Sequence, residues 1–287
     1  MSDEKRNALM LFTKAPKAGV TKTRLTTARG GFLTPQEAAD FYQACLLDVA
    51  DIAFHALQEC CQNSAVDGKG PAECYDFIVS SSPASEQASL QKLFDEEGPW
   101  PSPIRFINDV GMNFDEHFFN GYTQLFELGY HTVVSVGGDL PTLPATHIFQ
   151  AFQWLSYFDS FSERGGLVLA PCQECGVSLV GMSAGTPLDF NGIFYNMDGV
   201  PALDGYIARA EKGGIPTAML DAVADIDDAR DLAHSISVMR ALAFASQVQP
   251  DIVVPRRTLA WIVQNRIAVS TPPNLEHDPR EQLDARN

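Results

Sequence analysis

Short apolar runs alternate with longer segments of helical periodicity along most of this chain, and that alternation restricts it to an α/β fold with a largely parallel sheet. Ala8–Phe12 reads as a first, fully buried strand, Tyr75–Ser80 as a second and Ile104–Ile107 as a short third. Thr132–Val136 is the clearest central strand. Thr34-Pro35-Gln36-Glu37 starts a helix: Thr34 can cap it, Pro35 suits the first helical position and Glu37 completes a capping box. Apolar residues then recur at helical spacing from Phe41 to Leu57, before a surface loop over Asn63–Glu73 that contains Gly68, Gly70 and Pro71. Further helices are expected near Glu86–Phe94, Phe114–Leu128 and Ala145–Tyr157. Leu167–Ala170 and Val177–Met182, joined by a short turn, predict one antiparallel element. A helix near Pro201–Lys212, a strand Pro216–Leu220, a long helix Asp228–Phe244 and an amphipathic helix Arg257–Val269 follow. Residues 1–269 read as one domain, and the densely charged Ser270–Asn287 as a disordered tail.

Composition narrows the partners. The chain has 287 residues, 45% of them apolar, and a formal net charge of -16. Nucleic acid and anionic membrane surfaces attract basic faces, so neither is expected as the main partner. No secretory signal or membrane span is read, because the first apolar run is too short, and a cytoplasmic location is expected. The six cysteines are then expected as reduced thiols. Cys172-Gln173-Glu174-Cys175 has the spacing of half a zinc site, but no suitable second pair appears beyond the adjacent Cys60-Cys61.

Against that acidic background, one segment concentrates cations. Lys14, Lys17, Lys22, Arg24 and Arg29 follow the first strand with no acid between Phe12 and Gly30. Loops after the first strand of an α/β sheet lie at its binding edge. A loop punctuated by Pro16 and Gly19 offers backbone N–H groups, ammonium charges and a guanidinium fork to the phosphates of a nucleotide. A second constellation is Asp139, at the end of the central strand between Gly138 and Pro141. It suits Mg²⁺ or Mn²⁺, which take one or two protein carboxylates and fill the remaining positions with phosphate oxygens and water. It also suits a turn or helix cap, and the residues alone leave both open. A third is Asp225-Ile226-Asp227-Asp228-Ala229-Arg230-Asp231-Leu232, in which an acid can cap the next helix or close a cation site opposite the lysines. Gly181-Met182-Ser183-Ala184-Gly185 matches a hydrolase elbow, but the residues after it are a poor helix start. The histidines are read as structural.

These motifs, in this order, resemble a bacterial glycosyltransferase-like family once described as a domain of unknown function, within the nucleotide-diphospho-sugar transferase superfamily. Phe12–Leu25 is similar to its opening motif, Gly138-Asp139-Leu140-Pro141 to its Gly-x-Asp-x-Pro, and Asp225–Leu232 to its Asp-Val-Asp-Thr-x-x-Asp-Leu ending. Arg256–Arg266 looks like the C-terminal helix of some members. The resemblance implies a glycosyltransferase A-type fold, a Rossmann-like mixed sheet flanked by helices. It also implies a metal-dependent transfer of a glycosyl group from a nucleotide sugar to a small-molecule acceptor. A nucleotidyltransferase using a nucleoside triphosphate, or a non-catalytic nucleotide-binding protein, are the alternatives. By the same resemblance Asp139 and Asp227, with Asp225 beside them, hold Mg²⁺ or Mn²⁺ on the diphosphate. Lys14, Gly19, Lys22, Arg24 and Gly138 bind the phosphates. One segment departs from the family: Pro171-Cys172-Gln173-Glu174-Cys175-Gly176-Val177 stands where Pro-Ala-x-Asp-Gly-Gly-Tyr is usual. Glu174 is expected to meet the sugar or acceptor, and Cys175 to narrow the cleft.

Overall fold

In a computed structural model, the chain is described over residues 5–67, 73–108, 110–194 and 198–269. The strands are β1 Lys5–Thr13, β2 Glu73–Ser81, β3 Ile104–Asn108, β4 Thr132–Gly137, β5 Leu167–Pro171, β6 Val177–Ser183 and β7 Thr217–Met219. They form one sheet in the order β3-β2-β1-β4-β6-β5-β7. Neighbours are parallel except at β6, which runs antiparallel to both β4 and β5, as the two closely spaced strands predict. The helices are α1 Pro35–Asp67, α2 Gln87–Glu97, α3 Phe114–Glu127, α4 Ala145–Asp159, α5 Ala202–Gly213, α6 Ala229–Ala245 and α7 Arg256–Gln264. Among the described residues, no helix is long and apolar enough to cross a membrane.

Alternation along β1 divides the core. Leu9 and Leu11 face a cluster built with α1, α2 and α4, while Ala8 and Met10 face one built with α3 and α5. A third cluster joins the start of α1 to α6 and α7, with Phe41 against Trp261 at 5.2 Å between ring centroids. Helix α1 is thus covered by the sheet on one side and by the last two helices on the other. Its capping box forms as expected, with Thr34 Oγ1 accepting from Glu37 N and Glu37 Oε2 accepting from Thr34 N.

Two expected boundaries move. Helix α1 continues to Asp67, so the first part of the expected loop Asn63–Glu73 is helical. Asn63 and Ser64 donate back to the carbonyls of Glu59 and Cys60, and no glycine or proline interrupts the helix before Gly68. Helix α7 ends at Gln264 rather than Val269, because Arg266 adopts a left-handed backbone at φ 53°. The expected tail, 270–287, lies outside the described residues.

Strand order places the site. The chain moves outward from β1 to β2 and β3, then returns to β4 on the other side of β1. The crevice beyond the carboxyl ends of β1 and β4 is therefore the switch point where open α/β sheets take ligands. Phe12 is paired with Gly137, which sets Lys14 next to Gly138 and Asp139 at that edge. Because β6 is reversed, its first residue, Val177, and the turn before it reach the same edge.

Candidate functional site

Three segments converge on the switch point: the loop after β1, the loop after β4 and the stretch between β7 and α6. The first is folded by its own bonds. Thr21 Oγ1 accepts from Lys17 N, and the amides of Val20 and Thr21 return to Lys17 O. Gly19, at φ 76°, supplies the left-handed residue of that turn. Lys22 is also left-handed (φ 48°, ψ 39°), an unusual conformation for a lysine, and it begins a short turn over Thr23–Leu25.

The second segment is fixed by packing. A β-carbon on Gly138 would lie 2.8 Å from Leu46 Cδ1 and 2.9 Å from both Thr13 Oγ1 and Tyr42 Oη. A β-carbon on Gly137 would lie 2.7 Å from Asp139 Oδ1. The two glycines thus let the end of β4 close against α1 and let the Asp139 carboxylate fold back. For Gly138 the expected reason was approach of a ligand, whereas protein atoms fill the space a side chain would take.

The third segment is guided by hydrogen bonds. Val223 N donates to Pro171 O at 2.8 Å, and Ser178 Oγ donates to Val223 O at 2.8 Å. The Gln173 side chain donates to Asp225 O and accepts from Asp225 N. Asp228 and Asp231 form a reciprocal capping box at the start of α6. Capping thus accounts for two acids of the cluster and leaves Asp225 and Asp227 for other work.

Lys22 Nζ lies 2.5 Å from Asp139 Oδ2 and 3.1 Å from Asp227 Oδ1. Arg24 reaches the other oxygen of Asp227 at 2.9 Å. The Lys22 side chain is only 9% exposed, while Asp139 keeps 25% and Asp227 45%. Burial alone would lower the Lys22 pKa, but the charges of Asp139 and Asp227 outweigh it and hold the ammonium far above its ordinary range. Asp225 has no such partner. Burial first, then repulsion from Asp139 and Asp227, push its carboxyl up to about 7.

A cavity of about 510 Å³ opens over these groups. Lys14, Lys22, Arg24, Gly138, Asp139 and Asp227 line its polar side, and Phe12, Phe114, Phe118 and Phe194 its apolar side. An adjoining cavity of about 390 Å³ shares Arg24, Phe114, Phe194 and Asp227 and adds Glu174, Asp225 and Asp231. Among the expected phosphate ligands, Lys14 has no ion-pair partner among the described residues, whereas Lys17 is held by Glu86 at 2.8 Å. Gly19 is exposed and lines neither cavity. Glu174 lines the adjoining cavity, as expected. Cys175 does not; it is exposed, with a left-handed backbone at φ 60°, so it does not narrow the cleft.

His117, one turn into α3, also lines the larger cavity, although sequence alone reads it as structural. The other patterns resolve as scaffolding. Ser183 is buried at the end of β6, donates to Asp159 Oδ1 at 2.9 Å and enters a turn rather than a helix, so no hydrolase elbow forms. The six cysteines are free thiols. Among the described residues, no group of three or more His, Cys, Asp or Glu side chains is arranged to hold a metal ion.

Residues 69–197 match a family model described as an uncharacterized protein conserved in bacteria (DUF2064), which bears out the resemblance read from the motifs. Curated proteins give no match. Among solved structures, a protein from Desulfovibrio desulfuricans G20, described as a "putative nucleotide-diphospho-sugar transferase", is similar with a TM-score of 0.62 and 20% identity. The match covers 91% of this chain and 95% of that one. It shows the fold to be that Rossmann-like mixed α/β architecture. A cytidylyltransferase from Leptospira borgpetersenii aligns over 92% of this chain and 95% of its own, at 9% identity and a TM-score of 0.43, too distant to carry an argument.

Proposed function

We propose that the chain is a transferase acting on a nucleotide sugar, with the diphosphate held between the loop after β1 and Asp139. The observation that carries this reading is the meeting of Lys22, Arg24, Asp139 and Asp227 at the switch-point cavity, with Lys14 on its wall. Cations and carboxylates interleaved there match a substrate that brings phosphates and a divalent cation together.

The residues fit a hard cation. Asp139 and Asp227 already share one positively charged atom, and two carboxylates are the usual protein contribution to a Mg²⁺ or Mn²⁺ site completed by phosphate oxygens. When bound there, such an ion would stabilise the charge that gathers on the departing diphosphate. Lys14, Lys22 and Arg24 share that task, since fixed cations aimed at a developing negative charge lower the barrier to its departure. Gly138 and the packed end of β4 hold Asp139 still while this happens. Glu174, on the adjoining cavity, is placed to contact a sugar hydroxyl or take a proton from the acceptor.

A thermal-shift panel of nucleotides and nucleotide sugars, with and without Mn²⁺, tests the reading. Stabilisation by a nucleoside diphosphate sugar, followed by its release as a nucleoside diphosphate on turnover, is the expected result. Release of diphosphate from a nucleoside triphosphate would instead make the chain a nucleotidyltransferase. Binding without turnover would make it a nucleotide-binding protein, and no binding by any member of the panel would end the phosphate reading.

A further inference from the structure

The charges around Asp139 and Asp227 are already paired within the protein. Lys22 Nζ touches both carboxylates, Arg24 takes the remaining oxygen of Asp227, and the lysine is almost wholly enclosed. We propose that Lys22 is an internal stand-in for the divalent cation: it excludes the free metal and moves onto phosphate when a metal–nucleotide complex enters. The inference rests on the metal and phosphate roles proposed above and adds an order to them.

The argument is one of competition for the same oxygens. An ammonium at hydrogen-bond distance from both carboxylates occupies the space a metal ion would need, and two like charges cannot share it. Free metal would have to expel Lys22 with nothing to receive it. A buried ammonium left without an anion carries a large desolvation cost. A metal–diphosphate complex removes that obstacle, because its phosphate oxygens accept Lys22 as its metal takes the carboxylates. The backbone is suited to such a move. Lys22 stands at a left-handed residue between two self-bonded turns, Lys17–Thr21 and Thr23–Leu25, so its side chain can change partners while the turns persist.

The test uses Mn²⁺ alone, followed by electron paramagnetic resonance of the free ion and by calorimetry, on the full chain without nucleotide. Wild-type protein is expected to show no saturable uptake below the millimolar range. Lys22→Met, which keeps the length and removes the charge, is expected to bind Mn²⁺ about tenfold tighter or more. That gain should disappear in Lys22→Met/Asp139→Asn. Lys22→Gln serves as a second neutral variant, with circular dichroism confirming that each is folded. Tight uptake by the wild type, or no gain in either folded variant, overturns the proposal; the wild-type result decides even if both variants fail to fold. Because no nucleotide is present, either outcome is separate from the thermal-shift test of function. Nucleotide binding with no gain in the variants would leave the functional reading standing and remove only the stand-in role.

Discussion

Lys22 and Arg24 are two positions apart, yet replacing them has different costs. Lys22 is enclosed between two carboxylates, so Lys22→Ala leaves a half-buried pair of acids with only Arg24 to oppose them. A loss of about 1–3 kcal/mol in unfolding free energy is expected by denaturant titration. Arg24 is well exposed and touches only Asp227, so Arg24→Ala should stay within about 0.5 kcal/mol of the parent while weakening nucleotide binding. The sequence makes both look like exposed loop cations, because nothing local indicates that Asp227, 205 positions away, folds over one of them. Cys175 shows the opposite case, where sequence and backbone agree. Related chains are expected to carry glycine there, and the backbone is left-handed. Cys175→Gly should relieve that conformation and raise stability by about 0.5–1 kcal/mol, read as a higher melting temperature. No rise would mean that the turn is held without strain.

At the scale of elements, the least self-sufficient piece is α7. Its own start, Pro255, provides no side-chain cap. Asp48, in the middle of α1, supplies one from outside: its two oxygens accept from Arg257 N at 3.0 Å and Thr258 N at 2.7 Å. Asp48→Ala removes both acceptors from a buried place, so a loss of about 2–4 kcal/mol is expected. Limited proteolysis should then cut between α6 and α7 before any other site; unchanged cleavage would show that packing alone secures the helix. Most elements were legible because each carries its own period, as in the buried run Thr132–Val136 or the Thr34–Glu37 box. The errors lay at ends, such as Asn63–Asp67, where polar side chains bond back to the helix and disguise it as a loop.

At the scale of the molecule, the sheet edge opposite the site is fastened by one carboxylate. Asp159 accepts from Lys5 on β1 at 3.0 Å, meets His131 before β4 at 2.7 Å and accepts from Ser183 on β6 at 2.9 Å. Burial pushes its pKa up, but the bonds from His131 and Lys5 and the charge of Lys5 outweigh this and bring the carboxyl down to about 2. A depressed carboxyl contributes stability that is full above the ordinary aspartate range near pH 4. It is lost as pH falls through about 2. Asp159→Asn should therefore cost on the order of 2 kcal/mol at neutral pH, with the two stability curves converging in acid. Parallel curves would remove Asp159 from the acid transition. The fold class and the edge that carries the site were readable from strand alternation. Which acids cap a helix and which face the lysines was not, since that depends on how the segment from Asp221 to Asp228 follows β5. That dependence bears on synthesis. A nascent chain that has emerged only as far as Leu220 contains all seven strands, with Lys22 and Asp139 at their edge, but no Asp227. The ribosome therefore delivers the sheet first and the last charge of the site much later, and no partly made copy can hold a ligand in the way the finished one does.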